Sequence, residues 1–169
     1  MITLTLATVL AMTSVPYDII LDNLIEEEGK KEVCYLCTTG HKTIGIGRNL
    51  SIKPSLPSIG RQVKVGQSIT EEEIEILFHG DLIEALHPLI KLPFWKELSP
   101  AQQYVLISMN FNLGYRGLNK FKKFLAAIEH KNTILAIQEL KNSKWFSQVG
   151  HRGPKLVQVL STDTIAFIA

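Results

Sequence analysis

Residues 26–47, EEEGKKEVCYLCTTGHKTIGIG, hold a carboxyl, a thiol and a hydroxyl at fixed intervals: Glu28, Cys37 after eight intervening residues, and Thr43 after five more. A carboxylic acid that gives a proton to a leaving oxygen, set across a cleft from groups that position water, is the minimum apparatus for cleaving a glycosidic bond. Singly, each residue has a plainer reading. Glu28 sits in a glutamate run of the kind that usually faces solvent, Cys37 is the size of a small buried hydrophobe, and Thr43 suits any strand. The joint spacing, followed by TIGIG, sets them apart. A free thiol has a pKa of about 8.5, so Cys37 is expected to be mostly neutral and to orient water rather than deprotonate it. A general acid must hold its proton near neutrality, which calls for burial or a low-dielectric wall.

These groups need elements to position them. Ile19, Ile20, Leu24 and Ile25 have helical spacing and run into Glu26–Glu28 and Gly29, which predicts a helix ending at the acid. From Val33 to Ile46 the pattern changes to β-branched and aromatic residues broken by TTG and GIG. This predicts a hairpin with Cys37 and Thr43 on its two sides and close backbone approach at Gly45 and Gly47. Residues 51–67 read as a Pro/Gly/Ser-containing loop. Thr70 and Glu73 form a capping box ahead of a helix expected to stop at about residue 86 or 87, before Pro88. Ser99, Pro100 and Gln102 form a second capping box, opening a helix that Gly114 should end. Further helices are expected over about 119–130 and 133–141, with a break at Gly150–Pro154 before a closing helix.

The chain of 169 residues can bury one sizeable core. Its 46% apolar and 20% charged residues exclude a disordered chain. Residues 112–160 carry nine basic side chains against Glu129 and Glu139, a charge of +7, leaving −5 for the rest of a chain whose net charge is +2. Such a basic half suits a polyanion such as an acidic wall polymer, or is simply a set of solvated helix faces. No nucleic-acid motif accompanies it. Residues 1–17 are uncharged and apolar. They lack the basic start of a signal peptide and are short for a membrane span, so they are expected to form a packed or weakly export-like extension without stable membrane insertion. On one extended strand Cys34 and Cys37 would lie roughly 10 Å apart, too far for a disulfide. Cys34, Cys37 and His41 lack a fourth ligand at motif spacing, so neither a metal nor a cofactor is expected.

Glu28-Gly29, the gaps to Cys37 and Thr43, and TIGIGRNL together resemble the phage lysozyme (T4 lysozyme-like) family of endolysins, and the likeness runs over about residues 18–162. ITEEEIEILFHGDL resembles the family's connecting helix, MNFNLG and GLNKFKKFLAAIE its central helices, and SKWFSQVGHRGPKLVQVL its closing segment. The resemblance implies an α+β fold: a small N-terminal lobe with a short sheet (about 18–69), a connecting helix (about 70–87) and an all-helical C-terminal lobe (about 88–169). It implies a monomeric glycosidase acting on bacterial peptidoglycan at the wall, cleaving the β-1,4 bond between N-acetylmuramic acid and N-acetylglucosamine. Glu28 then matches the general acid, and Cys37 the position that is aspartate in the best-known members and cysteine in a subset. Thr43 matches the water-holding threonine, Phe111 and Asn112 match residues of the substrate cleft, and Arg152, also assigned to substrate binding, falls where the family has an arginine near the catalytic glutamate. Arg48 stands where many members have His, and Phe124 and Glu139 stand where saccharide-contacting residues are polar. Two other readings compete. One is a wall peptidase or amidase with Cys37 as nucleophile and His41 or His151 as base; the other is an inactive saccharide-binding module.

Overall fold

Ile20 and Leu24 are fully buried on one face of α2 (Tyr17–Glu28), so the predicted helix forms where its apolar stripe can meet a core. Gly29, at φ 74°, turns the chain out of it. The computed structural model describes residues 5–53, 56 and 59–165. Ahead of α2, the short helix α1 (Leu6–Leu10) buries Val9 completely and packs on the connecting helix. The segment between them is tied to the C-terminal lobe. Trp95 donates its indole N–H to the Met12 carbonyl at 2.7 Å, and the buried Gln103 side chain accepts from the Thr13 hydroxyl at 2.9 Å and the Ser14 N–H at 2.7 Å. Residues 5–16 therefore share the core of the lobe that follows. Among the described residues no helix is long and apolar enough to cross a membrane.

Three antiparallel strands, β1 (Lys31–Leu36), β2 (Lys42–Gly45) and β3 (Arg48–Asn49), form a sheet in that order, with Tyr35 paired to Thr43 and Thr43 to Asn49. Cys34 is buried and exchanges backbone hydrogen bonds with Gln67 and Gly66, which fastens the following loop to β1. Both bonds of the Thr70/Glu73 capping box are made, and α3 (Glu71–Leu89) follows. It runs through Pro88 rather than stopping before it. Pro88 is the second-last helical residue, and the N–H of the capping residue, Ile90, still reaches the Leu86 carbonyl at 3.0 Å. The disruption thus falls in a turn that is ending anyway.

The C-terminal lobe is helical, as expected. After a 3-10 turn at Trp95–Glu97, the Ser99/Gln102 capping box opens α4 (Pro100–Leu118). Every residue from Ala101 to Asn110 is buried, which marks α4 as the axis around which the lobe packs. Gly114 (φ 66°, ψ 163°) breaks it, and helical turns resume to Leu118. Then come α5 (Lys122–Glu129), α6 (Thr133–Lys141), α7 (Lys144–Gln148) and α8 (Arg152–Thr162). The break before α8 is narrower than predicted. It centres on Gly150 at φ 55°, and Pro154 lies in the first turn of α8, where its missing N–H has no intrahelical partner to lose. Of the nine basic side chains in this half, Arg116, Lys120, Lys122, Lys123, Lys131, Lys141 and Lys144 are exposed, while Arg152 and Lys155 turn inward to glutamates.

Candidate active site

Three consecutive glutamates end α2, where the helix dipole disfavours negative charge. They do not form one solvated face. Successive side chains rotate by about 100° around a helix, and each meets a different environment. Glu26 pairs with Lys155 at the surface. Glu27, its side chain 0% exposed, accepts from the Tyr104 and Ser108 hydroxyls at 2.6 Å each and pairs with Arg152 Nε at 3.2 Å. Glu28 opens to a cleft and accepts from Arg152 Nη2 at 2.6 Å. Burial and the Glu27 carboxylate push the Tyr104 hydroxyl's pKa far up, so it serves Glu27 as a donor. The role of Glu27 was missed from sequence, although a signal existed: it follows Ile20 and Leu24 at i+7 and i+3, on the buried face.

Arg152, expected in the substrate cleft, is corrected by its placement. Its side chain is 4% exposed, does not line the cavity, and bridges Glu27 and Glu28 from behind. Phe124 likewise is core, at 1% exposure, and does not line the cavity.

Of the two TIGIG glycines, Gly45 would bring a Cβ to Ile74 only at 3.8 Å, an ordinary contact, whereas Gly47 makes the close approach expected. Its φ is 66°, and a Cβ built there would lie 2.6 Å from Glu28 Oε2 and 2.9 Å from Glu28 Cβ. Only glycine lets this backbone pass over the carboxyl. Gly47→Ala is therefore expected to displace Glu28 and reduce lytic activity at least tenfold, on the order expected for an ångström of misplacement. A turbidity assay on purified peptidoglycan, paired with a melting curve, checks this; near-wild-type activity would show that Glu28's position is not critical.

Cys37 follows β1 at the mouth of a tight turn, in which its N–H donates to the His41 carbonyl at 2.9 Å and Gly40 N–H donates to its own carbonyl at 2.8 Å. Its sulfur lies 3.1 Å from the Thr39 hydroxyl. Hydrogen bonds from the Thr39 side chain and backbone, with smaller ones from His41 and Thr43, bring the thiol's pKa down to about 7 against the opposing effect of desolvation. The Cys37 thiol therefore ionises more readily than the free thiol from which the sequence reading started. Thr43 is buried on β2 and donates to the His41 carbonyl at 3.2 Å. Cys34 has the opposite strand parity and sits in the core, and both thiols are free. Tyr35 was also missed. It lines the same cavity as Glu28 and Cys37, and burial with their charges raises its hydroxyl's pKa.

Glu28, Tyr35, Cys37 and Thr43 line a single cavity of about 650 Å³ between the sheet and α4. Phe111 and Asn112 supply its helical wall. Phe111 is backed by Phe78 at a ring-centroid distance of 5.9 Å, and Asn112 Oδ1 accepts from the Trp145 indole at 2.9 Å. Arg48 closes the floor by pairing with Asp81 at 2.5 Å, while Lys53 reaches Asp81 at 2.9 Å and Glu84 at 2.8 Å. These pairs fix the sheet to α3. Among the described residues no group of three or more His, Cys, Asp or Glu side chains is placed to hold a metal ion.

A carboxyl at a helix end, faced by a short antiparallel sheet across a cleft and closed by a helical lobe, defines an α+β protein of the lysozyme-like class. The Phage lysozyme family profile matches residues 25–159, and the chain belongs to that family. It is 33% identical over 162 aligned positions to "Probable T4-type lysozyme 1" of Dictyostelium discoideum, covering 86% of this chain and 95% of that protein. To "Probable T4-type lysozyme 2" of the same organism it is 32% identical, covering 85% of this chain and 94% of that protein. The pre-baseplate central spike protein Gp5 of Enterobacteria phage T4 is 26% identical over 84% of this chain, which corresponds to 27% of that longer protein.

Proposed function

We propose that this protein is a muramidase that hydrolyses the β-1,4 bond between N-acetylmuramic acid and N-acetylglucosamine in peptidoglycan. The observation that carries this reading is the convergence of Glu28, Cys37 and Thr43 on one cavity, with Gly47 passing over the carboxyl. Glu28 donates its proton to the leaving oxygen. Cys37 and Thr43 hold the water that attacks the opposite face of the sugar, and Phe111 with Asn112 holds the glycan. At rest Glu28 accepts from Arg152. Around it, Glu26, Glu27 and Glu28 pair with two cations, Arg152 and Lys155. A saccharide filling the cavity displaces water from the carboxyl, and desolvation favours the neutral acid. The exposed lysines of the C-terminal half suit an anionic wall.

Because a single attack by water inverts the anomeric centre, NMR of the first products from soluble glycan fragments should show the α-anomer. Initial β-anomer would overturn the water-holding role. Cys37→Ser keeps a small polar group there and is expected to retain activity within about tenfold, less than the loss of about 10²–10⁴ from removing a general base. The peptidase reading draws on the lowered pKa of the Cys37 thiol alone. The sulfur's partner is the Thr39 hydroxyl rather than an imidazole, and loss of all activity in Cys37→Ser would restore that reading.

A further inference from the structure

Arg152 reaches Glu28 from behind, so the orientation of its guanidinium bears on where that carboxyl points and how strongly its charge is favoured. Nη2 donates to Glu28 at 2.6 Å and Nε pairs with Glu27 at 3.2 Å, while the buried Nη1 has no hydrogen-bond partner among the described residues. Among those residues Glu27 is therefore what anchors Arg152 apart from the acid itself. Glu27 is well held in its turn. Its Oε1 accepts from Tyr104 and its Oε2 from Ser108, both on α4, and Lys155 stands 3.6 Å from Oε1. The raised pKa of Tyr104 keeps that hydroxyl a donor. Two adjacent carboxylates thus share one guanidinium on unequal terms. Enclosed Glu27 has two hydroxyls and two cations, whereas cavity-facing Glu28 accepts only from the guanidinium among the described residues.

We infer that Glu27 is a positioning residue for the acid: anchored by the α4 hydroxyls, it fixes Arg152 behind Glu28 and shares its charge, so that the exchangeable proton belongs to Glu28. A cation beside a carboxyl favours the ionised form, and a second carboxylate nearby opposes it. Hydrogen bonds support the charge of Glu27 against its burial, which leaves Glu28 as the member of the pair that takes up the proton. This inference rests on the glycan-cleaving reading, in which that proton passes to the leaving oxygen. The other ionisable groups around Glu28 come from separate elements. Tyr35 and Cys37 belong to β1 and its turn, Arg48 and Lys53 pair with Asp81 and Glu84 across the cavity, and Glu26 is held by Lys155. Apart from Lys155 none of these pairs with Glu27, so replacing Glu27 leaves them in place.

The test is the pH dependence of kcat/KM on soluble peptidoglycan glycan fragments, which reports the essential acid of the free enzyme. Activity that needs a protonated acid falls as pH rises through its ionisation. Glu27→Gln keeps the side chain's shape but leaves the whole cation to Glu28. Its alkaline limb should therefore move to lower pH by about one unit, with about tenfold more activity lost above the limb than below it. The double variant Arg152→Ala, Glu27→Gln removes the cation as well, and its limb should return at least to the wild-type position. A merely structural Glu27 would lower activity equally at every pH. Superimposable normalised profiles for wild type and Glu27→Gln, with melting curves showing both folded, would overturn the inference alone. So would a double variant whose limb stays with that of Glu27→Gln. Absence of glycan cleavage by the wild type would overturn the glycan reading and the inference with it.

Discussion

Replacing Glu28 by glutamine is expected to lower the rate of peptidoglycan cleavage by about 10²–10⁴-fold, the range associated with loss of a general acid. Glutamine is nearly isosteric, still accepts a hydrogen bond from Arg152 Nη2 and still fits under Gly47, so the cavity should keep its shape. It cannot donate a proton in the manner of a carboxylic acid. The loss should therefore fall on kcat, with substrate binding retained. Activity within tenfold of the wild type would remove Glu28 from the chemistry and leave the cavity as a binding groove. Unfolding of the variant would instead mean that its charge, rather than its proton, is what matters.

The second large effect concerns stability. Arg152→Ala removes the cation that pairs with Glu27, whose side chain is fully enclosed. The Tyr104 and Ser108 hydroxyls remain, but Lys155 stands 3.6 Å away and also serves Glu26. Breaking a buried pair by removing one partner costs about 3–5 kcal/mol. For a chain of this size that corresponds to a melting temperature lower by roughly 10 °C, at 2–4 °C per kcal/mol. Calorimetric melting checks it. The double variant Arg152→Ala, Glu27→Gln should be more stable than Arg152→Ala alone, because the orphaned charge is gone. A single variant that melts within 2 °C of wild type would show that hydroxyls alone satisfy Glu27.

What the sequence revealed, and what it hid, follows from how far apart the deciding partners lie. The two capping boxes are local, each a side chain three residues from the backbone it serves, and both were legible. Gly47 was legible too, because a glycine after β-branched residues announces a close approach even when the approaching group is unnamed. Glu27 was not. Helical spacing puts it on the buried face, but its hydroxyl partners stand 77 and 81 residues away, and nothing local says what would satisfy a carboxylate there. Arg152 was placed near the acid but on the wrong side of it, since sequence gives proximity to a motif and not the face from which a side chain arrives. The thiol of Cys37 depends on a four-residue turn whose hydrogen bonds TTG only hints at. The N-terminal residues, uncharged and apolar, fit either export or packing. Their hydrogen-bond partners, Trp95 and Gln103, stand 83 to 90 residues further on.

End-group analysis of purified peptidoglycan, digested in parallel by the wild type and by Glu28→Gln, tests the central claim most directly. The wild type should release new reducing ends carried by N-acetylmuramic acid, with no new free amines, and Glu28→Gln should release almost none. New amines, reducing ends on N-acetylglucosamine, or equal release by both proteins would contradict a muramidase whose acid is Glu28.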